Sequence, residues 1–118
     1  MVFQLHVKRN NMELLEKGYY YHYKHVSHGD INNYAYEVIG LGLHSEGQHR
    51  IEDTLVIYRA IYESTNYKMG KMYDLRPLTM FVENVTKEGK TFKRFQKITD
   101  EKVIAQLEEI KRKMYDSF

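Results

Sequence analysis

Two arginines stand where the pattern around them is apolar. Arg59 lies inside Leu55-Val56-Ile57-Tyr58-Arg59-Ala60-Ile61-Tyr62, a β-branched and aromatic run with the composition of a central strand. Arg76 precedes the chain's one proline, at the head of Arg76-Pro77-Leu78-Thr79-Met80-Phe81. A guanidinium in such a run needs an anionic or aromatic partner, because an unpaired buried charge is costly. That partner is either an outside phosphate or carboxylate taken in the arginine fork, or an internal carboxylate. Glu37, Glu46 and Glu83 are available for the second role.

Two further groupings carry titratable chemistry. In Tyr19-Tyr20-Tyr21-His22-Tyr23-Lys24-His25 an extended backbone sends Tyr20, His22 and Lys24 to one side and Tyr19, Tyr21, Tyr23 and His25 to the other. His44-Ser45-Glu46 follows an extended segment, where His44 can act as a general base oriented by Glu46. The favoured reading makes Ser45 a turn residue and Glu46 the partner of Arg59 or Arg76. No nucleophile or oxyanion device is visible in the sequence. His22, His25 and His28 are spaced by three, which alternates faces in a strand and does not converge on one metal. No metal site and no cofactor are implied.

The elements that must position these residues are mostly strands. Phe3, Leu5 and Val7 alternate with polar residues, and Asn10-Asn11 can cap a short turn, Met12–Lys17, closed by Gly18. Extended segments are expected at 19–26, 34–43 (bent at Gly40 and Gly42), 54–62, 71–75, 80–85 and 91–95. Ser27–Asn33, His44–Asp53, Glu63–Gly70 and Lys87-Glu88-Gly89-Lys90 read as turns or loops, the last as a hairpin turn. Thr99-Asp100 caps an amphipathic helix over 101–115 whose stripe is Val103, Ile104, Leu107, Ile110 and Met114. Short strands with frequent turns and one closing helix predict a mainly β fold. The expected form is a small SH3-like barrel or a strongly bent antiparallel sheet, with the helix packed on it through Leu107 and Ile110.

Length and composition bound the rest. The chain has 118 residues, enough for one domain with its own core. It has no cysteine, which removes disulfides, thiolate metal sites and cysteine nucleophiles. There are 18 basic and 16 acidic residues, a balance short of the strong basic excess of nonspecific DNA binders. Eleven tyrosines offer apolar bodies with polar tips, suited to half-buried strands and to ligand walls. The N-terminal residues lack a signal-peptide pattern, and no apolar run approaches the ~20 residues needed to span a bilayer. The expected location is cytoplasmic, with no membrane partner.

Gly18-Tyr19-Tyr20-Tyr21-His22-Tyr23-Lys24, Tyr36-Glu37-Val38, His44-Ser45-Glu46, Val56-Ile57-Tyr58-Arg59, Ile61-Tyr62, Arg76-Pro77-Leu78, Met80-Phe81 and Arg94-Phe95 follow one another in a recognisable order. That order resembles the bacterial domain-of-unknown-function 1653 family over roughly residues 18–96. The resemblance implies a small, largely β domain similar to SH3-like barrels and brings no established activity. Residues 1–17 and 99–116 then flank the shared core within a single domain, 1–118. The chain departs from the family pattern in longer segments at 27–33 and 47–53. It also has Asp74-Leu75 where the family carries Trp-Val. Both inserted loops are expected at the surface and mobile, with at least one bordering the ligand cleft.

Tyr58 and Tyr62 share a strand face, with Arg59 on the other. If Tyr58 and Tyr23 flank a groove reached by Arg76 and Lys24, the result is an aromatic cleft with positive walls. The leading expectation is a non-enzymatic binding module for an anionic ligand, a nucleotide or a nucleic-acid segment. Its expected contacts are Tyr23, Lys24, Tyr58, Arg59, Tyr62 and Arg76. The alternatives are a small hydrolase or nuclease using His22, His44 and Glu46, and a protein-interaction adaptor or phage-type inhibitor that sequesters a host ligand. A monomer or a homodimer is expected, with Phe118 available for a dimer contact.

Overall fold

A computed structural model describes residues 15–48 and 50–116. Its strands are β1 (Gly18–His22), β2 (Ala35–Leu43), β3 (Thr54–Ala60), β4 (Asp74–Pro77), β5 (Asn84–Lys87), β6 (Lys90–Lys93) and β7 (Phe95–Lys97). Three helices accompany them: α1 (Thr65–Lys68), α2 (Leu78–Phe81) and the long α3 (Glu101–Tyr115). Five strands make one antiparallel sheet in the order β4-β3-β2-β1-β7, while β5 and β6 form a separate hairpin. Of the two expected forms, the bent antiparallel sheet is the one found. Among the described residues β4 and β7 remain open edges, so no barrel closes. The register of β2 on β3 slips between Val38 and Gly40, the bulge foreshadowed by the glycines, and a bulge bends and twists its strand.

The pleat divides the sheet into two cores. Tyr20, Val38, Val56 and Tyr58 face one way and are covered by Leu78, Phe81 and Phe95. Tyr19 and Ala35 face the other way and pack with Ile61, Ile98, Leu107 and Tyr115. Helix α3 covers this second face. Asp100 caps it as expected, its carboxylate accepting from the Lys102 and Val103 N–H groups at 2.9 and 3.3 Å. Leu107 is fully buried, and Ile110 packs beside it.

Several element boundaries differ from the expectation, each for a local reason. The first extended segment stops at His22, where the His25 N–H turns back onto the His22 carbonyl at 2.8 Å. The fourth starts at Asp74. The segment expected at 80–85 opens instead as the helical turn α2, which puts Leu78 and Phe81, three apart, into the same core. Arg94 breaks the expected run 91–95 into β6 and β7. Of the N-terminal strand and turn, residues 1–14 lie outside the described residues, as does Phe118. Leu15–Lys17 carry no helical turn and lead into Gly18, whose φ of 139° favours glycine.

Candidate functional site

The first face carries the polar chemistry. Arg76 pairs across β4 with Val56, and its Nε donates to the Tyr58 hydroxyl at 3.0 Å. Its guanidinium stands 5.6 Å from the Phe95 ring centroid. Tyr58 is only 4 % exposed, and its ring meets Tyr36, Phe81 and Phe95 edge-on at 5.4, 5.4 and 5.6 Å. It holds Arg76 and offers no free stacking surface. Tyr36 and Tyr62 share a hydroxyl–hydroxyl hydrogen bond. Burial raises the pKa of all three phenols, so they stay protonated and can donate.

His22 ends β1 beside this cluster, 5.1 Å from the Phe95 ring and 5.7 Å from Tyr34. Burial, then the charges of Arg76, Lys24 and Arg94, push its pKa down to about 4. The ring is therefore neutral at pH 7. Its Nδ1 accepts the Lys24 N–H at 3.2 Å, which leaves the proton on Nε2.

Past His22 the chain opens a second kind of surface. The Tyr23 N–H donates to the Arg94 carbonyl at 2.9 Å, which ties this wall to the root of the β5–β6 hairpin. Arg94 braces that root, donating to Glu83 at 2.7 Å and to the Met80 carbonyl at 3.1 Å. Glu88 and Gly89, both at positive φ, make the two-residue hairpin turn. Val85 pairs with Phe92 and Lys87 with Lys90, so these four residues share one face of the hairpin. There the Phe92 ring, in a residue 42 % exposed, lies 6.4 Å from the Tyr23 ring with 20° between their planes. Tyr23, Lys24, Lys87, Glu88, Lys90 and Phe92 line a cleft of about 550 Å³.

A second cleft, of about 410 Å³, lies between β3–α1 and the first face, with Tyr36, Tyr62, Asn66, Lys68, Glu63 and Asp74 in its wall. Asp74 accepts from the Asn66 amide at 2.6 Å, and burial raises its carboxyl pKa. This cleft has both signs of charge and is not a positive groove.

The residues expected to form one site are thus distributed. Tyr23 and Lys24 line the first cleft, and Tyr62 lines the second. Tyr58 and Arg76 form the packed floor between the strands. Arg59 is on the opposite face, where Glu37 receives its Nε at 3.1 Å and Tyr115 stacks under its guanidinium at 4.1 Å. Glu37 also takes Lys111 of α3 at 3.3 Å, so this arginine locks helix to sheet. His44 and Glu46 are exposed beyond β2, while His22 bonds through its N–H to Tyr34 before β2 begins. The length of that strand separates the two histidines. Among the described residues no three His, Cys, Asp or Glu side chains are placed to hold a metal.

The two inserted loops lie at the surface and are tied by their own side chains. Asn33 bonds both ways with Val26, and Asp53 accepts from Gln48 and Arg50. Neither loop lines either cleft. Phe92, Lys87 and Lys90 were not singled out from the sequence. The signal available was the Lys-Glu-Gly-Lys turn followed by an aromatic two residues on.

No helix among the described residues is long and apolar enough to cross a membrane. No curated protein and no solved structure matches the chain. A family model matches residues 18–97, from the first residue of β1 to the last of β7, and the chain belongs to that family, described as Protein of unknown function (DUF1653).

Proposed function

We propose that this domain is a non-enzymatic, cytoplasmic binding module for an anionic ligand with a planar base, a nucleotide or a nucleic-acid segment, held between β1's end and the β5–β6 hairpin. The observation that carries this reading is the near-parallel Tyr23–Phe92 ring pair with Lys24, Lys87 and Lys90 in the same cleft. Aromatic faces stack on any base, and lysine ammonium groups attract phosphate. Arg76, Tyr58 and His22 act behind this surface, fixing the wall from which Tyr23 projects. Arg59 has its charge satisfied by Glu37 and takes no part. The hydrolase alternative needs His22 and His44 within hydrogen-bond reach, which the strand between them prevents.

The test is a thermal-shift screen of nucleotides and short oligonucleotides. A ligand present at about 100 times its dissociation constant adds ~2.7 kcal/mol of stability, a readily measured shift. The Lys87→Gln/Lys90→Gln double variant is expected to reduce that shift without lowering the unliganded melting temperature. A flat screen across all of these ligands overturns the reading.

A further inference from the structure

The spacing of the two rings narrows the ligand. Resting on the anionic-ligand reading above, we infer that the cleft is a clamp for one unpaired base of a single-stranded polynucleotide, inserted between Tyr23 and Phe92. One stacked base occupies ~3.4 Å of rise, so two rings holding a base between them stand about 7 Å apart. The Tyr23 and Phe92 ring centroids are 6.4 Å apart with planes 20° from parallel, near the centroid spacing of such a sandwich.

The wall that must give is the one built to give. Phe92 lies on β6, whose residues are all exposed, in a two-stranded hairpin outside the main sheet. Such ribbons are only marginally stable alone. The Arg94–Glu83 pair and the Tyr23–Arg94 backbone bond hold the hairpin's root, so its tip can swing while the clamp keeps its register. The opposing wall is firm, because the Tyr23 ring rests against His22 at 4.6 Å.

The charges argue for a polymer over a mononucleotide. Lys24 follows Tyr23 on one wall, and Lys87 and Lys90 stand on the other, two residues tipward of Val85 and Phe92. Two strand residues span ~6.6 Å. Cations on both sides of one base meet the phosphates that precede and follow it in a strand. A duplex presents no free base face and does not enter.

Anisotropy titrations with a short labelled thymidine strand test the clamp, alongside the same strand annealed to its complement, an abasic strand of equal length, and thymidine monophosphate. The single strand is expected to bind at least tenfold more tightly than each of the other three. Phe92→Ala should weaken it roughly tenfold, as for the loss of one stacked base, with an unchanged salt slope. Lys90→Gln should instead lower the slope of log K against log salt by about 0.7. Phe92 lies outside both cores, so Phe92→Ala should fold, and Phe92→Leu checks that lost stacking rather than lost bulk is responsible. If the abasic strand or the duplex binds as well as the single strand, or if Phe92→Ala changes nothing, the clamp is overturned while the anionic-module reading stands. If no nucleotide or strand binds at all, both fall.

Discussion

At the scale of single residues, His22 makes the most specific commitment. Its imidazole is half-buried among Tyr23, Tyr34 and Phe95, with Arg76, Lys24 and Arg94 adding positive charge around it. Protonation is therefore suppressed in the folded state, to a pKa of about 4 against an ordinary value of 6.5. Because the folded pKa lies below the unfolded one, the stabilising contribution is complete above pH 6.5. It is lost progressively as pH falls toward 4, where the unfolded chain takes a proton that the folded one refuses. At ~1.4 kcal/mol per pKa unit the loss reaches up to about 3 kcal/mol. Urea unfolding midpoints between pH 7 and pH 4 should fall for the native chain and stay flatter for His22→Gln. Identical profiles would remove His22 from the account. Arg76 teaches the complementary lesson. An arginine in an apolar run announced that it had a partner, and its partner within the protein is a neutral phenol, Tyr58, rather than a glutamate. Residue type carries the demand for a hydrogen bond but not the identity of the group that meets it.

At the scale of elements, legibility followed periodicity. Helix α3 was readable to its boundaries because five apolar residues fall on one stripe behind a capping aspartate. Removing Leu107 at its centre by Leu107→Ala should cost about 2–5 kcal/mol in chemical denaturation, and Asp100→Ala about 1 kcal/mol. Comparable costs for the two would mean that the cap holds the helix as much as the packing of Leu107 does. Strand β3 was readable instead from its β-branched and aromatic composition, and its burial alternates residue by residue. Where periodicity was short, it misled. Leu78–Phe81 is a run of four with three apolar residues, too brief to distinguish strand from helical turn, and tertiary packing of Leu78 and Phe81 decides. The same limit hid the candidate site. Phe92 follows Lys87–Lys90 in a run that reads like any half-buried strand, and only the hairpin's position opposite Tyr23 turns its ring into a wall. Tyr23 and Lys24 were legible because they close a sequence run dense in aromatics that begins at Tyr19. The partner across the gap, about 70 residues away in sequence, was a matter of topology that composition does not encode.

At the scale of the whole molecule, the proposed binding cleft and the two cores are built from different residues. The chain carries 18 basic against 16 acidic residues, and the ring-pair cleft alone holds three lysines and one glutamate. The other fifteen of each sign cancel, so the cleft accounts for the net +2. On the proposed reading an anion is drawn to these three lysines, and its capture should weaken as salt screens them. The opposite face is devoted to internal bonding: Arg59, Glu37 and Lys111 satisfy one another, and Tyr115 donates to the Ala60 carbonyl at 2.6 Å. Phe92 is a member of neither core, and Leu107 lines neither cleft. Residues without shared partners change free energy independently, to within about 0.5 kcal/mol. Leu107→Ala should accordingly lower stability and leave single-strand affinity unchanged where the variant is folded. Phe92→Ala should do the reverse, and the double variant should show the sum of both. A four-protein cycle of unfolding and anisotropy titrations measures this directly. A coupling well above 0.5 kcal/mol would show that the sheet transmits strain from the helix face to the clamp, and that the hairpin is less independent than its separate two-stranded sheet implies.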